Sequence, residues 1–267
     1  MKKMPKANKS ALALQLGVSR SSLYYKSKLD LKDQLIREQI LAVQDEHPAY
    51  GHKRIAIALG YNKKRILRIM KKYHIVCRRS RAKRPVKLAD LGNEPRKYLN
   101  WAGLVCPLKP GIFWASDFTY LWFEGRFYYL ATIIDVVSRE ILGIAFSPFH
   151  NKELVMEALV DALSRNTVPK YLHSDQGSEY NSEAYIDFAQ YKGITISMAP
   201  KGSPWWNGYQ ESFYSQFKLE LGTLARFQTL GELVEAIYLQ IHYYNHRRIH
   251  SALKMPPATY AKQYLVY

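Results

Sequence analysis

The chain has no run of roughly 18 apolar residues, so nothing in it reads as a membrane-spanning helix. Its first residues, MKKMPKANKS, lack the apolar stretch of a signal peptide. No membrane partner is expected, and the cytoplasm is the expected location. Only two cysteines are present, Cys77 and Cys106, in no CxxC spacing, which excludes a disulfide framework and a cysteine-based zinc site. A GxxxxGK[ST] phosphate loop is missing too, so ATP hydrolysis is not the expected chemistry. Acids are scarce at the front: residues 1–110 carry 7 Asp and Glu against 26 Lys and Arg, whereas residues 111–267 carry 15 against 13. The net charge of +17 is therefore confined to the first part, which reads as a polyanion-binding region ahead of a near-neutral folded domain.

Residues 1–28 include SALALQLGVSRSSLYYK, a short helix, a turn at Gly17 and a second helix that Ser19 is placed to cap. That pattern fits a helix-turn-helix or an ordinary helical hairpin. Residues 29–77 read as a basic helical DNA-binding domain with helices over Leu29–Asp45, Lys53–Leu59 and Lys63–Tyr73, the last capped by Asn62. Ile66, Ile69, Met70 and Tyr73 form its apolar stripe, and Lys64, Arg65 and Arg68 are among the cations on the rest of its surface, suited to DNA phosphates. Residues 78–110, basic and proline-containing, read as a linker, either lying along DNA or serving only as a joint.

From Gly111 the rhythm changes. Residues 112–121, 127–135 and 140–147 are rich in aromatic and β-branched residues and predict three consecutive strands. Helix 152–164, strand 171–174, helix 183–191, strand 194–198 and helices 209–221 and 230–245 follow. This order describes an α/β domain, a mixed five-stranded sheet flanked by helices, over residues 111–267. Asp117 falls mid-strand among apolar neighbours, where a carboxylate is costly unless it binds something. Asp175 follows a strand at its C-terminal edge, where α/β sites usually lie, and Glu211 lies on a helix. His173 reads as a ligand, a proton carrier or a structural histidine, and Asp135 as a carboxylate that satisfies turn amides.

WASDFTY (114–120), HSDQGSEY (173–180) and ESF (211–213), with 35 residues between the second and third acids, resemble the DD(35)E signature of the retroviral integrase and transposase superfamily. YGHKRI (50–55), Lys218 seven residues after Glu211, and YNHRRIHSAL (244–253) followed by Pro256-Pro257 make the chain most similar to OrfB-type DDE transposases of the third insertion-sequence family. The resemblance implies an RNase H-like fold. It also implies DNA transposition by metal-dependent strand cleavage and transfer, with Asp117, Asp175 and Glu211 as catalytic metal ligands. The ions implied are Mg²⁺, two of them, with Mn²⁺ able to substitute.

Lys218 returns to nearly the same helix face as Glu211, about 10.5 Å along the axis, and is expected to meet DNA phosphate. Arg247, Arg248 and His250 are expected to contact DNA or to complement a helix dipole. The resemblance implies as partners double-stranded DNA at element ends and target, further copies of the chain, and a first-frame (OrfA) segment carrying a leucine zipper, a heptad pattern that does not precede the catalytic domain here. The expected location becomes the nucleoid. The alternative is a non-catalytic DNA-binding regulator derived from a transposase. Where the family commonly has an acid before Asn207, this chain has Trp206. Trp205 and Trp206 are suited either to stacking on bases or to plugging the core.

Overall fold

A computed structural model describes residues 8–24, 28–77, 98–200 and 204–264. The expected linker therefore falls largely outside the described residues, as do parts of the first segment and the side chain of Trp205.

Helix α1 (Lys9–Gln15) starts at Asn8, whose side chain accepts from the amides of Ser10 and Ala11. After Gly17, at φ 63°, Ser19 caps the next turn by accepting from Ser22 N, as its position suggested. The expected second helix is only a short 3-10 turn, Arg20–Tyr24. It has no buried residue, so nothing extends it against a neighbour. Helices α2 (Lys28–Glu46), α3 (His52–Leu59) and α4 (Lys63–Lys72) form a small bundle around Ile36, Ile40, Ile55, Ile66 and Ile69. Gly60 closes α3 at φ 68°, a conformation that costs glycine least, and Asn62 caps α4 through Lys64 N at 2.8 Å.

Strand β1 (Phe113–Phe123) turns at Glu124-Gly125 into β2 (Arg126–Asp135), which pairs with β3 (Ile141–Ser147). Both turn residues have positive φ, the two-residue hairpin geometry that matches strand twist. Helix α5 (Lys152–Arg165) leads to β4 (Tyr171–Ser174), and α6 (Glu183–Tyr191) to β5 (Thr195–Met198). The sheet order is β3-β2-β1-β4-β5, with β4 parallel to β1 and β5 parallel to β4. Helices α7 (Gly208–Leu221) and α8 (Leu230–His246) cover one face and α5 and α6 the other.

β1 alternates accordingly. Phe113, Ala115, Leu121 and Phe123 enter the α7–α8 core, and Trp114 enters the α5–α6 core. Residues 98–110, read from sequence as the end of a linker, instead dock on the sheet. Trp101 N donates to Ser197 Oγ at 2.9 Å, and Met198 N to Leu99 O at 3.2 Å. A last helix, α9 (Pro257–Lys262), was not anticipated.

Candidate active site

Asp117 lies on the central strand, opposite Thr132 of β2. The last β1–β4 pair is Ala115 with His173, and each acid comes two residues later, Asp117 on β1 and Asp175 just beyond β4. The parallel register thus brings Asp175 within electrostatic reach of Asp117. Asp117 Oδ1 accepts from Phe118 N at 2.9 Å, and Asp175 Oδ1 from Gly177 N at 2.9 Å.

Glu211 comes from α7, which is fastened to this part of the sheet by a buried polar stripe. Asn207 Nδ2 donates to Ser116 O at 3.1 Å. Gln210 Nε2 donates to Ala115 O at 2.8 Å and to Thr132 O at 3.0 Å, while its Oε1 accepts from Thr132 Oγ1 at 2.9 Å. Tyr214, one turn on, donates to Asp117 O at 2.7 Å. Spacings of three and four residues keep the three side chains on one helix face, and β4 has ended before Asp117, leaving carbonyls there for α7 to take.

The acids feel one another. Asp117 is pushed up to about 7, first by burial, then by the Asp175 charge and, to a lesser degree, by Glu211. Asp175 is also raised, by desolvation and by the charge of Glu179, partly offset by the Gly177 amide. Among the described residues, no three acid, histidine or cysteine side chains converge closely enough to hold a metal ion as they stand. The site is an oxygen-only donor set with an excess of negative charge, the chemistry that a hard divalent cation fits.

The other expected contact residues are distributed as follows. Lys218 Nζ sits 4.6 Å from the Tyr120 ring centre, in a groove with Trp122 and Phe127, and desolvation lowers its pKa. On α4, Lys64 is exposed and Arg65 lies over Tyr61, while Arg68 is held by Asp33 through bonds of 2.8 and 2.6 Å. Arg247 is exposed and paired with Glu46. Arg248, 1% exposed, bonds Glu220 at 2.6 Å. His250 is part-buried, with Nδ1 unpartnered. The structure thus brings the acids within electrostatic reach of one another and spreads the cations over separate parts of the fold.

His173 is buried, bonds Ser197 Oγ through Nδ1 at 2.8 Å and is lowered to about 4 by desolvation, a structural setting. Asp135 accepts from Gly111, Val137 and Ser138 amides, as a turn carboxylate does. Trp206 packs across Gly103, where an added Cβ would lie 2.8 Å from the indole. Sequence reasoning passed over Glu179. It is buried, bonded to His150 at 2.9 Å, and flanks Gly177 opposite the Asp175 carboxyl. The signal available was its place four residues after Asp175 in HSDQGSEY.

Two integrase core domain family models match the chain, over residues 107–204 and 192–257. The transposase for insertion sequence element IS904 of Lactococcus lactis subsp. lactis (strain IL1403) is 32% identical over 85% of this chain and 93% of that protein. The putative transposase InsK for IS150 of Escherichia coli (strain K12) is 28% identical over 92% of this chain and 90% of its own length. Among solved structures, the HTLV-2 integrase catalytic core domain in complex with magnesium superposes with a TM-score of 0.50 at 18% identity. It covers 58% of this chain and 98% of that one. The simian T-cell lymphotropic virus intasome gives 0.53 at 16% identity over 84% of this chain and 74% of that one. These two likenesses speak for the fold, an RNase H-like core. No helix among the described residues is long and apolar enough to cross a membrane, and nothing favours a non-catalytic regulator. The chain belongs to the insertion-sequence transposases of the IS3 type, metal-dependent polynucleotidyl transferases with an integrase core.

Proposed function

We propose that Asp117, Asp175 and Glu211 are the acids through which this transposase cleaves and joins DNA strands, and that they hold Mg²⁺, two ions, with Mn²⁺ able to replace it. The observation that carries this reading is the placement of Asp117 on the central strand next to the β4 end that carries Asp175, where burial and the charges of Asp175 and Glu211 raise it. A buried acid under like-charge repulsion is stabilised by a cation. When bound, the ions supply charge neutralisation at the attacked phosphate and activation of the attacking oxygen.

The chain's own residues set the geometry. Asp117 is fixed by the sheet and by Phe118 N, Asp175 by Gly177 N, and Glu211 by the α7 stripe. With water as nucleophile, the P–O3′ bond breaks, leaving a 3′ hydroxyl and a 5′ phosphate. With that hydroxyl as nucleophile, a new phosphodiester forms as the target's breaks, so no nucleotide triphosphate is consumed. Lys218, on the same helix as Glu211, is assigned to a DNA phosphate.

In this reading residues 1–28 form a helix-turn-helix-like segment, 29–77 the basic DNA-binding domain, 78–110 a basic linker whose end, from residue 98, is docked on the catalytic sheet, and 111–267 the catalytic domain with its C-terminal helical extension. Exposed Lys64 and neighbouring Arg65 are the leading α4 contacts, since Arg68 is occupied by Asp33. The protein works on element ends and target as an oligomer on nucleoid DNA, with a first-frame segment as partner or fusion. Asp117→Asn and Glu211→Gln test the assignment. Each is expected to abolish Mg²⁺-dependent joining of element-end DNA while duplex binding persists, and full joining by either would overturn it.

A further inference from the structure

Two motif segments outside the acid cluster, YGHKRI and YNHRRIHSAL, meet in space. Ile249 donates its main-chain N–H to the Tyr50 hydroxyl at 2.6 Å and packs on the N-terminal bundle's core. His47 Nδ1 and the Tyr243 hydroxyl lie 2.7 Å apart. Between these segments and α7 lies a cavity of about 700 Å³. Arg54 of α3, Arg139 of the β2–β3 turn, and Arg248 and His250 beyond α8 line it, and its described lining contains no Asp or Glu.

The donors there are not used up within the protein. Arg248 bonds Glu220 and Gln216, but Arg54 Nε, Arg139 Nε and Nη1, and His250 Nδ1 are buried without a hydrogen-bond partner. Guanidinium groups keep their protons, so Arg54 and Arg139 cannot escape the cost by neutralising. Arg139 is braced 3.9 Å over the Tyr209 ring, which holds its planar fork at the cavity wall. Burial first, then the Arg248 charge, lower the Arg54 pKa, with Glu220 opposing. Three guanidiniums with Glu220 as their one bonded carboxylate among the described residues call for a further anion. A tetrahedral oxyanion offers the acceptors that several arginine forks need.

The cavity is not the acid site. Gly208, Tyr209, Ser212 and Gln216 of α7 line it, whereas Asn207, Gln210 and Tyr214 face β1. The volume far exceeds one phosphate ion and leaves room for sugars on either side.

We propose that this cavity is a phosphate site that seats a phosphodiester of bound DNA between the N-terminal helices, the C-terminal segment and the outer face of α7. It rests on the chain acting on DNA, but not on the roles of the three acids. Full-length wild type, Arg54→Gln, Arg139→Gln and Arg139→Lys serve as the test, with duplex affinity measured from about 50 to about 200 mM salt. Each Gln variant is expected to flatten the slope of log affinity against log salt by about one. Inorganic phosphate is expected to raise the wild-type Tm above a chloride control of equal ionic strength, and duplex DNA to compete with it. Arg139→Lys, which keeps the charge and loses the fork, is expected to keep the slope and lose the phosphate-induced rise. If Arg54→Gln or Arg139→Gln fails to fold, Arg139→Lys decides through that rise alone, and an undiminished rise overturns the site. An unchanged slope in both Gln variants overturns the DNA assignment, as does phosphate stabilisation that DNA does not compete away. Asp117→Asn, run alongside, separates the two readings, because loss or retention of joining there leaves the slope unaffected.

Discussion

The Tyr214 hydroxyl donates a 2.7 Å hydrogen bond to the main-chain carbonyl of Asp117 and lies 2.8 Å from Thr132 Oγ1, so the helix that carries Glu211 is tied to the strand that carries Asp117. Tyr214→Phe keeps the ring and removes the donor. An unmatched buried carbonyl costs about 1–3 kcal/mol, so the urea midpoint is expected to fall accordingly. Single-turnover joining is expected to fall further than the loss of folded protein explains, with duplex binding unchanged. Full joining by a folded Tyr214→Phe protein would leave the stripe with a packing role alone.

Metal removal gives a second test. The like-charge crowding around Asp117 is relieved by a divalent cation or by an amide. Mg²⁺ is expected to raise the wild-type Tm by a few degrees through binding linkage, and chelation to reverse the gain. Asp117→Asn is expected to melt higher than metal-free wild type at pH 8 and to gain nothing from Mg²⁺. Equal Mg²⁺ responses in the two proteins would remove Asp117 from the ligand set.

His250 supplies a pH dependence. Burial first, then Arg139, Arg248 and Arg54, lower it from 6.5 to about 4. The unfolded chain therefore binds a proton between those values that the folded one refuses. This contribution to stability is present above pH 6.5 and is lost as pH falls towards 4. His250→Asn is expected to gain stability relative to wild type across that window and to show no such trend above it. Thermal melts from pH 7.5 to pH 4 read the difference, and a flat difference would refute the assignment.

Gly143 marks the closest approach of α5 to the sheet. A Cβ there would lie 2.3 Å from Ala158 O and 2.6 Å from Ala162 N, both backbone atoms that a side-chain rotation cannot move. Gly143→Ala is expected to cost about 1–3 kcal/mol, in line with overpacked cores. Chemical denaturation measures it, and a neutral result would mean that α5 shifts at little cost.

Most elements were legible because each carries its own local signal. Asn62 marks the start of α4, Gly60 the end of α3, and Glu124-Gly125 the hairpin. Asp117 was conspicuous as a charge inside an apolar strand, and Asp175 as the residue after one. The α7 stripe was not legible. Gln210 and Tyr214 read as ordinary helix residues, and only the sheet opposite reveals that their polar atoms are buried and spent on its carbonyls. The meeting of Arg54 with Arg139 and Arg248 was equally hidden, since it depends on how segments far apart in sequence pack. Helix α9 escaped because six residues begun by a proline carry too little periodicity to register.

The bond between Tyr50 and Ile249 joins positions 199 residues apart, and the His47–Tyr243 contact spans 196. Synthesis runs from the N-terminus, so the first helical bundle waits on about 200 further residues before its docking surface exists. A truncated translation product would thus carry the cationic helices without their seat against the catalytic domain. The segment around Tyr243 and Ile249 acts as a closing clasp that joins the catalytic domain to the N-terminal helices.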